Sequence, residues 1–206
     1  MALRIKICGI TSVEDARAAV AAGADALGFM FYEGSPRAIS KAAAIEIIRE
    51  LPPFVARVGV FVNPTEKAVI ETMQHCGLDT LQFHGEEPPE FCRAFGLRVV
   101  KAFRMRDAAS LEALRRYDSE TWLLDSFVPD KLGGTGARFN WDLAVAAGKL
   151  GRPIILAGGL DPENVAQAVK HVRPFAVDVS SGVEMAPGKK DPARIRAFIA
   201  AARQVE

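Results

Sequence analysis

The chain has 206 residues, half of them hydrophobic and a quarter charged, with a formal net charge of +1. That length holds one core comfortably and two with difficulty, so one domain over residues 1–206 is expected. The near-neutral balance, with Arg and Glu scattered along the chain, excludes the massed basic face of a general nucleic-acid binder.

The first ten residues interrupt a short apolar run with Arg4 and Lys6, so neither a secretory leader nor a membrane span is read there, and a cytoplasmic protein is expected. Apolar runs rich in β-branched residues then alternate with Ala-rich amphipathic stretches to the end. Residues 3–8 read as a strand, with a helix from Val13 behind Ser12. Residues 24–30 follow, with a helix from Lys41 behind Ser40; then 56–62, with a helix from Pro64 behind Asn63. Residues 79–84 and 98–103 are strands leading to helices near Pro88 and Ala108. Residues 121–125 lead to a helix from Trp141 behind Asn140, 153–157 to one from Pro162 behind Asp161, and 175–179 to one from Pro192 behind Asp191. The Ser, Asn and Asp residues supply side-chain oxygens for exposed helical N–H groups. In Asn63-Pro64, Asp161-Pro162 and Asp191-Pro192 the proline takes the first helical position, where its missing N–H costs nothing. Cys8, Cys76 and Cys92 form no CxxC pair and are odd in number, so reduced thiols are expected, Cys76 and Cys92 as buried parts of helices.

Eight strand–helix units with short connections imply parallel strands and right-handed crossovers, an α/β chain closed as a (β/α)8 TIM barrel. The competing doubly wound sheet lacks its Gly-rich dinucleotide turn after the first strand. No P-loop ending follows the glycines at 133–136 either, so no nucleotide cofactor is expected, and without a CxxC pair no metal site is expected. In such barrels chemistry sits at the C-terminal strand ends. Those ends are polar: Lys6-Ile7-Cys8-Gly9-Ile10-Thr11, Gln82-Phe83-His84-Gly85, Leu124-Asp125, and Asp178-Val179-Ser180-Ser181-Gly182-Val183-Glu184. The loops add Ser35-Pro36-Arg37, Gly133 to Gly136, and Ala157-Gly158-Gly159-Leu160.

Together these motifs, in order along nearly the whole chain, resemble the phosphoribosylanthranilate isomerase family. The resemblance implies an Amadori-type rearrangement of a phosphoribosyl-anthranilate in tryptophan synthesis, with Cys8 as base and Asp125 as acid. Ring opening needs a proton on the furanose oxygen, and enol formation needs loss of the C2′ proton. A thiol of pKa about 8.5 is mostly protonated at neutral pH, so a cation beside Cys8 would help. Lys6, two residues away on the same strand face, is a source, and Asp178 on the neighbouring last strand offers Lys6 a partner. Asp125 would need its pKa raised above about 4 to donate.

Arg37 is either a solvated loop cation or a bidentate partner for the anthranilate carboxylate, and the second is preferred. His84 either lines the site or bonds locally within the core. Asp178 and Gly134 join the substrate-binding set, with 133–136 either a flexible cover or a plain linker. Gly158, Gly159, Ser180, Ser181 and Gly182 are expected to bind phosphate through backbone N–H groups. A small phosphosugar is the expected partner, with the chain a monomer or homodimer. The competing readings are another phosphate-binding barrel enzyme of amino-acid biosynthesis, with a different acid and base, and a non-catalytic barrel.

Overall fold

The computed structural model describes residues 2–126 and 140–205. Within them the order is β1 (Arg4–Cys8), α1 (Val13–Ala22), β2 (Ala26–Met30), α2 (Lys41–Arg49), β3 (Ala56–Phe61), α3 (Glu66–Cys76), β4 (Thr80–Phe83) and α4 (Pro89–Cys92). Then come β5 (Arg98–Met105), α5 (Ser110–Leu114), β6 (Thr121–Ser126), α6 (Trp141–Gly148), β7 (Ile154–Leu156), α7 (Val165–Val172), β8 (Ala176–Val179) and α8 (Pro192–Arg203). Strands β1 to β8 pair in sequence order, all parallel, and β8 returns to β1 to close the barrel. All eight strands fall where the alternation of apolar runs put them. Among the described residues no helix is long and apolar enough to cross a membrane.

Side chains on a strand alternate between faces, and here one face meets the helices while the other fills the barrel. Ile5, Ile7, Leu27, Phe29, Leu81, Phe83, Leu124, Leu156 and Val177 belong to the layer packed under the helices. Val58 and Val60, and on the other side Val100, Ala102, Leu123, Ile155 and Ala176, form the separate clusters of the interior. The same parity that sends Leu123 inward sends Asp125 inward. Lys6 and Cys8 share their strand face in the same way.

Helix starts at Ser12, Ser40, Asn140 and Asp191 are capped as the sequence implies, each side chain accepting a first-turn N–H. Two caps move. Asn63 lies at φ 47 and accepts from Glu86 N instead, while its own N–H goes to the Glu87 carboxylate. The loop after β3 is thereby tied to the loop after β4, and α3 starts two residues later behind Thr65. Asp161 and Asn164 exchange side-chain-to-backbone hydrogen bonds across a turn, which pushes the start of α7 to Val165. The sequence reading also missed the short hairpin of β9 (Glu184–Ala186) and β10 (Lys189–Lys190), which follows a 3-10 turn at Ser181–Val183.

Candidate active site

The C-terminal ends of the strands surround a cavity of about 560 Å³. Cys8, Arg37, His84, Asp125, Gly158, Gly159, Asp178, Ser180 and Ser181 all line it, so residues from six loops and strand ends meet in one place. Gly134 lies outside the described residues.

On the β1 side, Lys6 Nζ donates to Asp178 Oδ1 at 2.9 Å, with both side chains nearly excluded from solvent. The register of β1 with β8 sets Lys6 directly beside Asp178, as the sequence reading anticipated. Burial pulls the Lys6 ammonium down, and Asp178 with Cys8 beside it more than offsets that, so its pKa stands above the ordinary lysine value. Burial pushes the Cys8 thiol up; Lys6 pulls it back only in part, because Asp178 opposes. The expected activation of Cys8 by Lys6 is therefore outweighed in the free site: the cation is already matched by Asp178, and the buried thiol holds its proton.

On the β6 side, Asp125 is 4% exposed, and its Oδ1 accepts the N–H of Ser126 at 2.8 Å. Its Oδ2 lies 3.3 Å from Nε2 of His84. Gln82 Nε2 sits 3.0 Å from His84 Nδ1. With the Gln82 amide donating to Nδ1, the ring proton sits on Nε2, which lies close to the Asp125 carboxyl but is not aligned to hydrogen-bond it. His84 thus lines the site and is also held locally, which joins the two alternatives left open above. Gln82, buried and on the cavity wall, went unremarked in the sequence; its inward parity on β4 was the available signal.

Gly158, at φ +79, lies against Asp125: a Cβ there would fall on the Ser126 backbone nitrogen and come within 2.8 Å of Asp125 Oδ1. Only glycine lets the β7 loop approach the carboxyl that closely. Gly159 follows at φ +68, and Asn164 holds its carbonyl at 2.8 Å. In the neighbouring loop after β8, the buried Ser180 Oγ meets no partner among the described residues. Gly182 does not line the cavity; a Cβ there would strike the Leu160 carbonyl, so Gly182 lets the loops after β7 and β8 touch.

Arg37 is held where β2's loop meets the β9–β10 hairpin. Its Nε donates to Glu184 Oε1 at 2.8 Å and its Nη2 to Glu184 Oε2 at 2.6 Å. The buried Lys190 donates to Glu184 Oε1 at 2.7 Å and to the Ser180 carbonyl at 3.3 Å. Glu184 entered the sequence reading only as the last residue of the β8 motif, with no role, and Lys190 did not enter it, since nothing local marks either charge as buried.

A thiol, a carboxyl with an imidazole against it, a guanidinium and two glycine-bearing turns around one cavity are a set suited to moving protons on an anionic substrate. The chain is similar to proteins that carry a name for such chemistry. Residues 5–201 match the family described as "N-(5'phosphoribosyl)anthranilate (PRA) isomerase". Over 202 residues, 98% of either chain, it is 59% identical to the N-(5'-phosphoribosyl)anthranilate isomerase of Citrifermentans bemidjiense. It is 56% identical over 201 residues to the protein of that name from Geobacter sulfurreducens, again with 98% of either chain covered. Its fold matches the crystal structure of phosphoribosyl anthranilate isomerase from Thermotoga maritima with a TM-score of 0.92 at 46% identity, covering 98% of this chain and 99% of that one. A phosphoribosyl anthranilate isomerase solved with reduced 1-(o-carboxyphenylamino)-1-deoxyribulose 5-phosphate gives 0.89 at 45% identity, with the same coverage. The chain belongs to the N-(5'-phosphoribosyl)anthranilate isomerase family.

Proposed function

We propose that this chain catalyses the Amadori rearrangement of N-(5'-phosphoribosyl)anthranilate to 1-(2-carboxyphenylamino)-1-deoxyribulose 5-phosphate, a step of tryptophan biosynthesis. The observation that carries the reading is that Cys8 and Asp125, from β1 and β6, open into one cavity that Arg37 and the Gly158–Gly159 and Ser180–Ser181 turns also line.

Asp125, as the general acid, gives a proton to the furanose ring oxygen as the C1′–O4′ bond breaks. The anthranilate nitrogen supplies the electron pair, leaving an open-chain iminium at C1′ and an Asp125 carboxylate. The minor thiolate form of Cys8 takes the C2′ proton, and the C2′–H electrons neutralise the iminium to form an enaminol. Solvent then takes the C2′ hydroxyl proton and protonates C1′ to give the ketone, and the proton held by Cys8 returns through solvent to Asp125. His84, with Nε2 3.3 Å from Asp125 Oδ2, needs only a small turn of its ring to steady the carboxylate that the first step leaves behind. Arg37 takes the anthranilate carboxylate, and the turns after β7 and β8, with Ser180 Oγ, take the phosphate. A charged phosphosugar does not leak across membranes and stays where it is made, which supports a cytoplasmic site of action.

A homodimer rather than a monomer is supported by likeness to the dimeric phosphoribosylanthranilate isomerase of Thermotoga maritima, 43% identical over 98% of this chain.

The test is turnover of freshly generated phosphoribosylanthranilate, followed by loss of anthranilate fluorescence. Wild-type turnover is expected, with Cys8→Ser and Asp125→Asn folded but slowed about 10²–10⁴-fold. An inactive wild type sinks the assignment.

A further inference from the structure

Arg37 presents a problem of charge. An arginine that binds a substrate carboxylate should face it with its positive charge intact, yet this guanidinium is already paired, through both Nε and Nη2, with the buried carboxylate of Glu184. Taken alone, Arg37 and Glu184 sum to zero, and an incoming anthranilate carboxylate would meet a neutral pair with an anion at its centre. The third member changes the sum. Lys190, whose side chain is fully buried, places its Nζ 2.7 Å from the same Glu184 oxygen. Two cations and one anion leave one positive charge. The fork leaves the Nη1–Nη2 edge of Arg37 for the substrate, since Glu184 occupies the Nε–Nη2 edge.

We propose that Lys190 is a specificity-determining positioning residue: by neutralising Glu184 it lets Arg37 be clamped in place and still present a net positive charge to the aromatic carboxylate. Neither Lys190 nor Glu184 lines the cavity, so both act through Arg37. The hairpin that carries them is fastened at other points. Lys190 N donates to the Asp15 carboxylate of α1, and Thr11 Oγ1 donates to the Gly188 carbonyl. Lys190 is therefore held by its backbone as well as by Glu184, and its charge has a set place. Burying an ammonium costs several kcal/mol unless it is matched, which argues that this one is kept for its charge rather than its packing.

The proposal rests on the reading of Arg37 as the carboxylate site, and the experiment separates the two. The affinities of two ligands would be measured by calorimetry at neutral pH: reduced 1-(o-carboxyphenylamino)-1-deoxyribulose 5-phosphate, and the same compound lacking the carboxylate. The readout is the ratio of the two affinities, because Lys190 also touches the Ser180 carbonyl and its loss would weaken phosphate binding for both ligands alike. Lys190→Met is expected to cut the preference for the carboxylate-bearing ligand about tenfold, the size of one unit charge acting across a few ångströms at the protein–water boundary. Glu184→Gln with Lys190→Met removes one anion with one cation, and is expected to restore the preference to within about threefold of wild type. A merely structural role would weaken both ligands equally and would not be rescued by a second substitution; that result overturns the proposal. Should Lys190→Met fail to fold, Lys190→Gln, which keeps a hydrogen-bond donor toward Glu184 without the charge, carries the test: the same roughly tenfold loss of carboxylate preference is expected, and an unchanged ratio overturns the proposal. A wild-type protein that binds the two ligands equally would instead overturn the reading of Arg37 itself.

Discussion

The two sides of the barrel interior are built on opposite rules. Along β5, β6 and β7 the inward side chains are Val100, Ala102, Leu123 and Ile155, aliphatic and close-packed, with Asp125 appearing only at the mouth. Along β8 and β1 the charged pair Lys6–Asp178 runs through the interior, and Cys8 sits above it. The aliphatic side contributes stability through burial, at about 25 cal/mol per Å² of apolar surface removed from water. The polar side takes two charges out of water and recovers that cost only through their mutual contact. One side supports the fold, and the other spends stability on chemistry.

The sharpest way to break this contrast is Lys6→Met. It leaves Asp178 buried without its cation, so unfolding free energy should fall by about 3–5 kcal/mol, measured by urea denaturation. Cys8 loses its chief stabilising cation at the same stroke, so the rising limb of kcat/KM against pH should move to higher pH than in the wild type. A loss of stability without a change in the pH profile would mean that the pair is structural only.

A smaller effect is expected from Leu123→Ala on the aliphatic side. Leu123 is fully buried, and its truncation should cost about 3 kcal/mol, within the usual range for a core leucine. The variant that remains folded should keep its kcat within about twofold, since nothing polar moves. A large fall in kcat would show that the two sides are mechanically coupled.

The smallest effect concerns the thiols and pH. Burial raises Cys92 to about 11, with Lys101 opposing only in part. Folded and unfolded chains both hold this proton below the ordinary thiol value of about 8.5. Above it the unfolded chain releases the proton first, so stability is full at lower pH and is lost progressively as pH rises toward 11. Cys8 and Cys76 are raised as well and share the sign. Thermal melts between neutral and alkaline pH should fall by the equivalent of up to about 3 kcal/mol for Cys92, and Cys92→Ala should flatten the slope. An unchanged slope would show that the thiol titrates alike in both states.

Much was legible in the chain before any tertiary contact was known. The eight strands, the helix caps at Ser12, Ser40, Asn140 and Asp191, and the alternation that turns Lys6, Cys8 and Asp125 inward depend on local dihedral preference and on a side-chain period of two. Both are written in neighbouring residues. The shift of the α3 cap from Asn63 to Thr65 was not legible, because it depends on Glu87, 24 residues away, capturing the Asn63 N–H. Nor was the balance at Cys8, where the sequence placed a cation two residues off but burial and Asp178 decided the outcome. The trio of Arg37, Glu184 and Lys190 shows the limit most clearly. Arg37 and Glu184 are 147 residues apart, and a charge in a loop carries no local mark of being buried. The sequence by itself determined which residues were available and which way the strands point them. The tertiary structure decided their environments, because burial and long-range pairing are sums over neighbours that only the closed barrel brings together.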